Sequence, residues 1–332
     1  MLNILLIIFL TIALAFDFLN GFHDSANVVA TAIASRAMSP GWALAMASLT
    51  NFIGPFLFGV AVATTIGDEV LTEEAVTVSV AMAALLSAIT WNLVTWLFGI
   101  PSSSSHALIG GFVGAALAGF GTHAIRLDGL TKVGLGLFIS PVLGLIFGWL
   151  IMRLVLFFGQ WLTPGVNNFF RRAQWATSLT LGLSHGTNDA QKTMGIIAMG
   201  LVAFGVLPDF TVPTWVITIS ALAIALGTAF GGWRLIRTMG GGFYRVRAAH
   251  AFSSQTAGTI VILGAALSGV PVSTTQVISS NIVGAGAAHR VSMVRWTLAR
   301  QVATAWVVTI PATCLLGAIF FLLLDPFIKG IV

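Results

Sequence analysis

Two aspartates stand in sequence apolar enough for a membrane interior. Asp24 lies in Gly21-Phe22-His23-Asp24-Ser25-Ala26-Asn27, between apolar residues 4–16 and 28–34. Asp189 lies in Gly186-Thr187-Asn188-Asp189-Ala190-Gln191-Lys192. A carboxylate at membrane depth costs about 3 kcal/mol or more, so its default reading is a functional one. Asn27, Asn188, Gln191 and Ser25 place amide and hydroxyl oxygens within a few residues of the two carboxylates. Asp24, Asn27, Asn188, Asp189 and Gln191 are therefore the expected ligands of a cation, sodium or a proton. A structural reading competes: a buried carboxylate bonded to helix ends could hold a helix break together. His23 could carry a proton near neutral pH, and a bonded structural role fits it equally. Lys192 is the one basic residue expected inside the membrane. It could anchor an anionic substrate or pair with Asp189 or Asp24.

A second set of polar residues is suited to an oxyanion. Ser102, Ser103, Ser104, Ser105 and His106 follow Gly99-Ile100-Pro101, and Ser273, Thr274, Thr275 and Gln276 follow Gly269-Val270-Pro271. Each cluster opens an expected helix. A helix N-terminus offers free N–H groups and the positive end of the dipole, to which Ser and Thr add hydroxyls. Two such ends meeting from opposite sides would cradle a tetrahedral anion. Ordinary N-capping is the plainer account of either cluster alone.

The elements that must hold these groups follow from composition. The chain of 332 residues is 57% hydrophobic and 8% charged, with a mean hydropathy of +0.99. A soluble domain carries about 25% charged residues. The expected class is an all-α polytopic membrane protein of about 10–12 transmembrane segments, at roughly 20 apolar residues per span. Its 36 glycines suit close helix packing in lipid. No strand alternation supports a barrel. Residues 4–16 lack a basic flank and cleavage site, and read as part of the mature chain. The single cysteine, Cys314, excludes an internal disulfide. The basic balance, net +5, is read as membrane orientation rather than nucleic-acid binding.

Residues 1–36 as one helix would be about 54 Å long, against a hydrocarbon core of roughly 30 Å. A break is expected at residues 20–27. Spans are expected at 41–66, 75–98, 107–120 and 133–158, with a hairpin tip at Pro101 and a loop at 160–172. The second half repeats the order: 175–205 with the second polar interruption, 214–230, a loop at 231–247, 248–267, a tip at Pro271, 277–288 and 296–324. Gly99, Pro101, Ser103 and Gly114 match Gly269, Pro271, Ser273 and Gly284 at a constant offset of 170. The expected organisation is two inverted repeats, 1–172 and 173–332, with broken helices and helical hairpins, in one membrane domain.

Charge placement orients the chain. Counting crossings puts Arg36, Arg153, Arg171, Arg172 and the seven arginines from Arg234 to Arg300 on one side, 11 of 15 basic residues. Asp68, Glu69, Glu73, Glu74, Asp128, Asp209 and Asp325 fall on the other. The positive-inside rule makes the arginine side cytoplasmic and both termini extracytoplasmic in a multi-pass cell-membrane protein. Inverted repeats with discontinuous helices are a layout of secondary transporters. No enzyme motif competes: there is no H-E-x-x-H and no Walker lysine, and Gly240–Gly242 lacks the Gly-Lys-Ser/Thr continuation. The sequence neighbours Ser105 and His106 are no basis for a catalytic dyad.

The two aspartate stretches, residues 21–27 and 185–192, resemble the paired signatures of the inorganic phosphate transporter (PiT) family. Residues 99–106 and 269–276 are similar to its paired Gly-x-Pro-x-Ser-x-Thr motifs. The resemblance covers essentially the whole chain, in the short bacterial form without a large central loop. The first signature often has Asn-Asp where this chain has His23-Asp24, Ser105-His106 stands where Thr-His is common, and Gln276 replaces a second histidine. The resemblance implies import of inorganic phosphate, alone or as a metal phosphate, by symport with a cation and alternating access, often in a homodimer. His23 is similar to the bacterial low-affinity type, which points to proton rather than sodium coupling. Some bacterial relatives carry sulfate, and an anion channel is the alternative of a different class.

Overall fold

A computed structural model describes residues 2–161 and 165–331. Met1, Val332 and residues 162–164 of the expected 160–172 loop lie outside the described residues. The first half contains α1 (Leu2–Ala34), α2 (Pro40–Leu57), α3 (Ala61–Asp68), α4 (Val78–Phe98), α5 (Ser104–Phe120) and α6 (Leu127–Gly159). The second contains α7 (Val166–Ala203), α8 (Thr214–Phe230), α9 (Trp233–Arg237), α10 (Ala248–Leu267), α11 (Thr274–His289) and α12 (Trp296–Ile328). The described residues form no strand, only an isolated bridge between Leu71 and Ile125.

Each half reads as a long helix, a bent pair, a hairpin and a second long helix. The bends are 79° between α2 and α3, and 62° between α8 and the segment opened by α9. Each contains a left-handed glycine, Gly59 at φ 78° and Gly231 at φ 72°. The hairpins are decoded by their shared motif. Gly99 and Gly269 both take φ 66°, which ends α4 and follows α10 at little steric cost. Pro101 and Pro271 cannot donate a helical N–H bond. Ser103 and Ser273 then cap α5 and α11, accepting from the backbone N–H groups of His106 and Gln276. The halves interlock: α5 packs on α12 and α11 on α6, while α1 packs on α8 and α7 on α2. Gly114 and Gly284 permit two of these contacts. A Cβ at either would overlap the backbone of Cys314 or Leu145.

The expected breaks at residues 20–27 and within 175–205 are not present. Both α1, 33 residues, and α7, 38 residues, run unbroken. The reason is in their polar spacing. Asp17, Asn20, Asp24, Asn27 and Thr31 recur every three or four residues and are all buried. Such spacing lines one face of a continuous helix. The side chains seek partners across helix contacts while the backbone stays internally bonded. Lengths of about 50–57 Å exceed the hydrocarbon core, which a long helix accommodates by tilting and by projecting its ends. The discontinuities fall instead at the bent pairs and the hairpin tips. The expected 231–247 loop holds α9 and a π turn, Thr238–Gly242.

The apolar interior divides in two. One cluster gathers Leu5, Phe9, Ala13 and Phe16 of α1 with Met194, Ile197 and Met199 of α7. The other gathers Ala26, Val28 and Val29 of α1 with Leu181 of α7, and Ile236 and Val246. The polar segments of α1 and α7 pass between these clusters. The outer helices meet lipid: α6 exposes Phe138, Ile146 and Trp149, and α12 exposes Val307, Leu315 and Leu322. Helices α1, α4, α6 and α12 are long and apolar enough to cross a membrane, and each bent pair is apolar enough as a unit for a broken span or a re-entrant loop.

Candidate functional site

The two aspartates meet at the N-terminus of α11. Thr274 Oγ1 donates to Asp189 Oδ2 at 3.0 Å and reaches Asp24 Oδ2 at 3.4 Å. Thr275 Oγ1 donates to Asp24 Oδ1 at 3.0 Å. Asn27 Nδ2 donates back to Thr275 at 3.1 Å and Thr274 at 3.4 Å. Ser104, the first residue of α5, reaches Asp24 Oδ2 at 3.4 Å. One polar centre thus joins α1, α5, α7 and α11, brought together by residues up to 251 apart in sequence. Every expected site residue is at most 3% exposed, so the centre is closed to both faces.

The surroundings of the two carboxylates differ. Asp189 Oδ1 accepts from the Lys192 ammonium and from Asn188 Nδ2, the latter at 2.9 Å. His185 Nε2 lies 3.1 Å from Asp189 Oδ2, out of line for a hydrogen bond. Among the described residues Asp24 has no lysine or arginine partner; His23 Nδ1 sits 2.7 Å from its Oδ1. Ligand atoms of Asp24, His185 and Asp189 all lie within 4.8 Å of one another, a spacing that one cation could bridge. Free lone pairs remain at Asn27 Oδ1 and Asn188 Oδ1, both buried without a hydrogen-bond partner.

The hairpin tips close on each other. Ser105 Oγ and Asn188 Nδ2 both donate to the Val272 carbonyl, each at 3.2 Å. The Gln276 amide and His106 Nε2 stand 3.5 Å apart, and Ser140 of α6 reaches Gln276 Oε1 at 3.3 Å. Several expected anion ligands are engaged elsewhere. Ser103 caps α5 and lies 2.7 Å from His106 Nδ1. Ser273 caps α11. Ser102 is paired with Thr95 inside its own hairpin at 2.7 Å. The hydroxyls that face the carboxylates are those of Ser104, Thr274 and Thr275.

Gln191 is not among the groups gathered around the aspartates. Its Oε1 accepts from the backbone N–H groups of Val62 and Ala63 at 2.8 and 3.3 Å, and its Nε2 donates to the Gly59 carbonyl at 2.7 Å. It secures the bend between α2 and α3. Ser25 does the same for the other half, accepting from the Gly232 N–H at 2.8 Å beside the α8 bend. Each aspartate-bearing helix therefore fastens the bend of the opposite half. The expectation counted nearby oxygens; the helical phase turns Gln191 away.

Three buried groups were given no role in the sequence reading. His185 faces Asp189 one turn away, and the i, i+4 spacing was its available signal. Asn51 of α2 holds His185 Nδ1 at 3.3 Å and donates to Thr228 at 2.8 Å. Asp17 is wholly buried, and neither carboxylate oxygen makes a well-formed hydrogen bond.

A lipid-facing bundle of spanning and broken helices around a sealed ionic centre defines a polytopic membrane protein built to handle ions. Comparison narrows the class. Residues 20–317 match the phosphate transporter family. A protein of Rhizobium meliloti (strain 1021), called "Probable low-affinity inorganic phosphate transporter", is 46% identical over 97% of this chain and 97% of its own. A protein of Bacillus subtilis (strain 168) with the same description is 43% identical, over 97% of this chain and 98% of its own. The solved structure titled "The sodium-dependent phosphate transporter" superposes with a TM-score of 0.87, covering 97% of this chain and 99% of that one at 23% identity. That last likeness establishes the fold. The chain belongs to the phosphate transporter family.

Proposed function

We propose that the protein imports inorganic phosphate by symport with a cation, using alternating access to the centre between α1, α5, α7 and α11. The observation that carries this reading is the meeting of Asp24 and Asp189 across the hydroxyls of Thr274 and Thr275. Phosphate beside two bare carboxylates would be repelled. A cation held by Asp24, Asp189, Asn27, Asn188 and His185 removes that repulsion. The N-termini of α5 and α11, with Ser104, Ser105, Thr274 and Thr275, then offer donors to the oxyanion. Lys192 leaves Asp189 as the cation arrives and becomes available to the substrate. Cation and phosphate each strengthen the other's binding, a reciprocal coupling free energy.

The two halves act as inverted repeats, and their exchanged packing supports a rocking of one hairpin set against the other. The cation is sodium or a proton. His23, at 2.7 Å from Asp24, favours the proton; the structural neighbour is described as sodium-dependent. Phosphate, alone or as a metal phosphate, is the proposed cargo of a homodimer in the cell membrane, with arginine-rich loops inside and both termini outside.

Uptake of labelled phosphate into proteoliposomes tests the reading, under separate inward sodium and proton gradients, each with and without excess sulfate. Uphill accumulation driven by one gradient is expected. Downhill flux without accumulation would mean a channel, and equal competition by sulfate would mean a broader anion permease.

A further inference from the structure

The centre described above leaves one intramembrane carboxylate unused. Asp17 lies two helical turns before Asp24 on the same face of α1, about 10 Å away along the axis. It is 0% exposed, and neither of its oxygens makes a well-formed hydrogen bond. Asn20, one turn on, is also 0% exposed, and neither end of its amide is bonded. Across the contact with α7, the Thr193 hydroxyl lies within reach of Asp17, in a contact too poorly formed to count as a full hydrogen bond. The helices run antiparallel here. Phe9 packs on Phe204 at 5.8 Å, Asp17 adjoins Thr193, and Asp24 adjoins Asp189. Asp17, Asn20 and Thr193 thus form a separate level of the α1–α7 seam, one step nearer the end where Glu69 and Glu73 lie.

Burying a polar group without a partner costs about 1–3 kcal/mol, and a bare carboxylate far more. Asn20 has no partner, and Asp17 has only the weak contact of Thr193 to offset its burial. Among the described residues no basic side chain bonds to Asp17; Lys192 acts on it only through space and is paired with Asp189 in this state. The other charged or titratable groups of α7 and α1 toward this level are Asp189, His185, His23 and Asp24. Helices α2, α4 and α8, which also pack on α1, carry no ionisable residue. From α9, α10 and α11, which pack along α1 as well, the ionisable groups are Arg234 and Arg237, His250 and His289. A small cation satisfies the cluster as no protein group does.

We propose that Asp17, with Asn20 and Thr193, is a second station for a neutralising cation, a proton or sodium, taken up from the acidic-loop side and moved with the substrate. The inference rests on the coupled-transport reading above. It adds a transported charge held at a place distinct from the Asp24–Asp189 centre.

The experiment measures the charge moved per phosphate in proteoliposomes, from the membrane potential that arrests net flux, for the wild type and Asp17→Asn. The ratio is read, so a slower variant remains informative. The expected result is one fewer positive charge per phosphate in D17N. Varying pH at fixed sodium, and sodium at fixed pH, identifies the ion as the one whose effect on the arresting potential D17N loses. An unchanged ratio with both responses intact would overturn the proposal while leaving symport standing. Absence of coupled phosphate flux in the wild type would instead strike the parent reading and this proposal with it. If D17N does not fold, Asp17→Glu and Thr193→Val are measured. Both are expected to move the half-saturating cation concentration several-fold, and wild-type values in both would refute the station.

Discussion

Asp24 and Asp189 occupy related places in the two halves, yet only one brings its own countercharge. Asp189 is bonded to the Lys192 ammonium, with Asn188 and His185 beside it. Asp24 has His23 and three hydroxyls. The pair is therefore lopsided, with a lysine bonded on the α7 side and, among the described residues, no lysine or arginine on the α1 side. A transporter that must bind an anion beside two acids gains from this arrangement. Under the symport proposed above, the missing countercharge at Asp24 is what would make substrate binding depend on an ion from solution. In the same proposal the lysine at Asp189 is the group already inside the site that would change partners when the ion arrives.

The largest effect should come from breaking the neutralised side. Removing one partner of a buried ion pair strands the other and costs about 3–5 kcal/mol. Lys192→Met should therefore destabilise the fold by that order, read as a lowered unfolding temperature in detergent. Lys192→Met combined with Asp189→Asn should recover most of the loss while remaining inactive in uptake. If the single substitution melts like the wild type, Lys192 is not the fixed countercharge of Asp189.

The contrasting prediction concerns Asp24. With no fixed lysine or arginine partner, Asp24→Asn should leave the unfolding temperature near that of the wild type. Concentrative phosphate uptake should fall. Loss of a group that tunes a bound ion typically costs roughly 10–100-fold in its affinity, and uptake at limiting cation should fall by that order. Full gradient-driven uptake by this variant would end the view that Asp24 is where the coupling ion acts.

Much of this was legible in the sequence because the hairpin motifs have one physical meaning at each position. Gly99 and Gly269 supply a positive φ, the prolines stop the helix, and Ser103 and Ser273 start the next one. Gly114 and Gly284 were visible as a repeated offset, and their role is the close approach to α12 and α6. The polar stretches were harder. Local composition suggested broken helices, whereas the three-four spacing of Asp17, Asn20, Asp24 and Asn27 described an unbroken face. Proximity along the chain also assigned Gln191 to the aspartates. Side-chain direction decides otherwise: residues two apart on a helix point about 200° apart. Pairings such as Asp24 with Thr275, or Gln191 with Val62, depend on how distant helices dock, and no local pattern encodes them.

Gln191 sharpens the comparison by separating support from ligation. Gln191→Leu would leave the Val62 and Ala63 N–H groups and the Gly59 carbonyl unpaired. Unpaired buried groups cost about 1–3 kcal/mol each, so stability should drop by at least the lower figure. The cation concentration for half-maximal uptake should stay at the wild-type value in the folded fraction. A several-fold increase would return Gln191 to the cation's ligands and remove the distinction between the aspartate centre and the bend it supports.

The smallest effect tests whether the two hairpins are equivalent where the aspartates are not. Ser103→Ala and Ser273→Ala each remove one N-cap, worth about 1 kcal/mol. The caps have similar geometry, accepting from His106 N at 3.1 Å and Gln276 N at 3.3 Å. Ser103 also lies 2.7 Å from the His106 ring, and the Ser273 hydroxyl has no matching ring beside it. Ser103→Ala should therefore cost more than Ser273→Ala, by roughly another hydrogen bond, about 1 kcal/mol. Equal losses in chemical unfolding would mean that the His106 contact contributes nothing and that the tips are energetically alike. The asymmetry of the site would then reside in the aspartates and their partners alone.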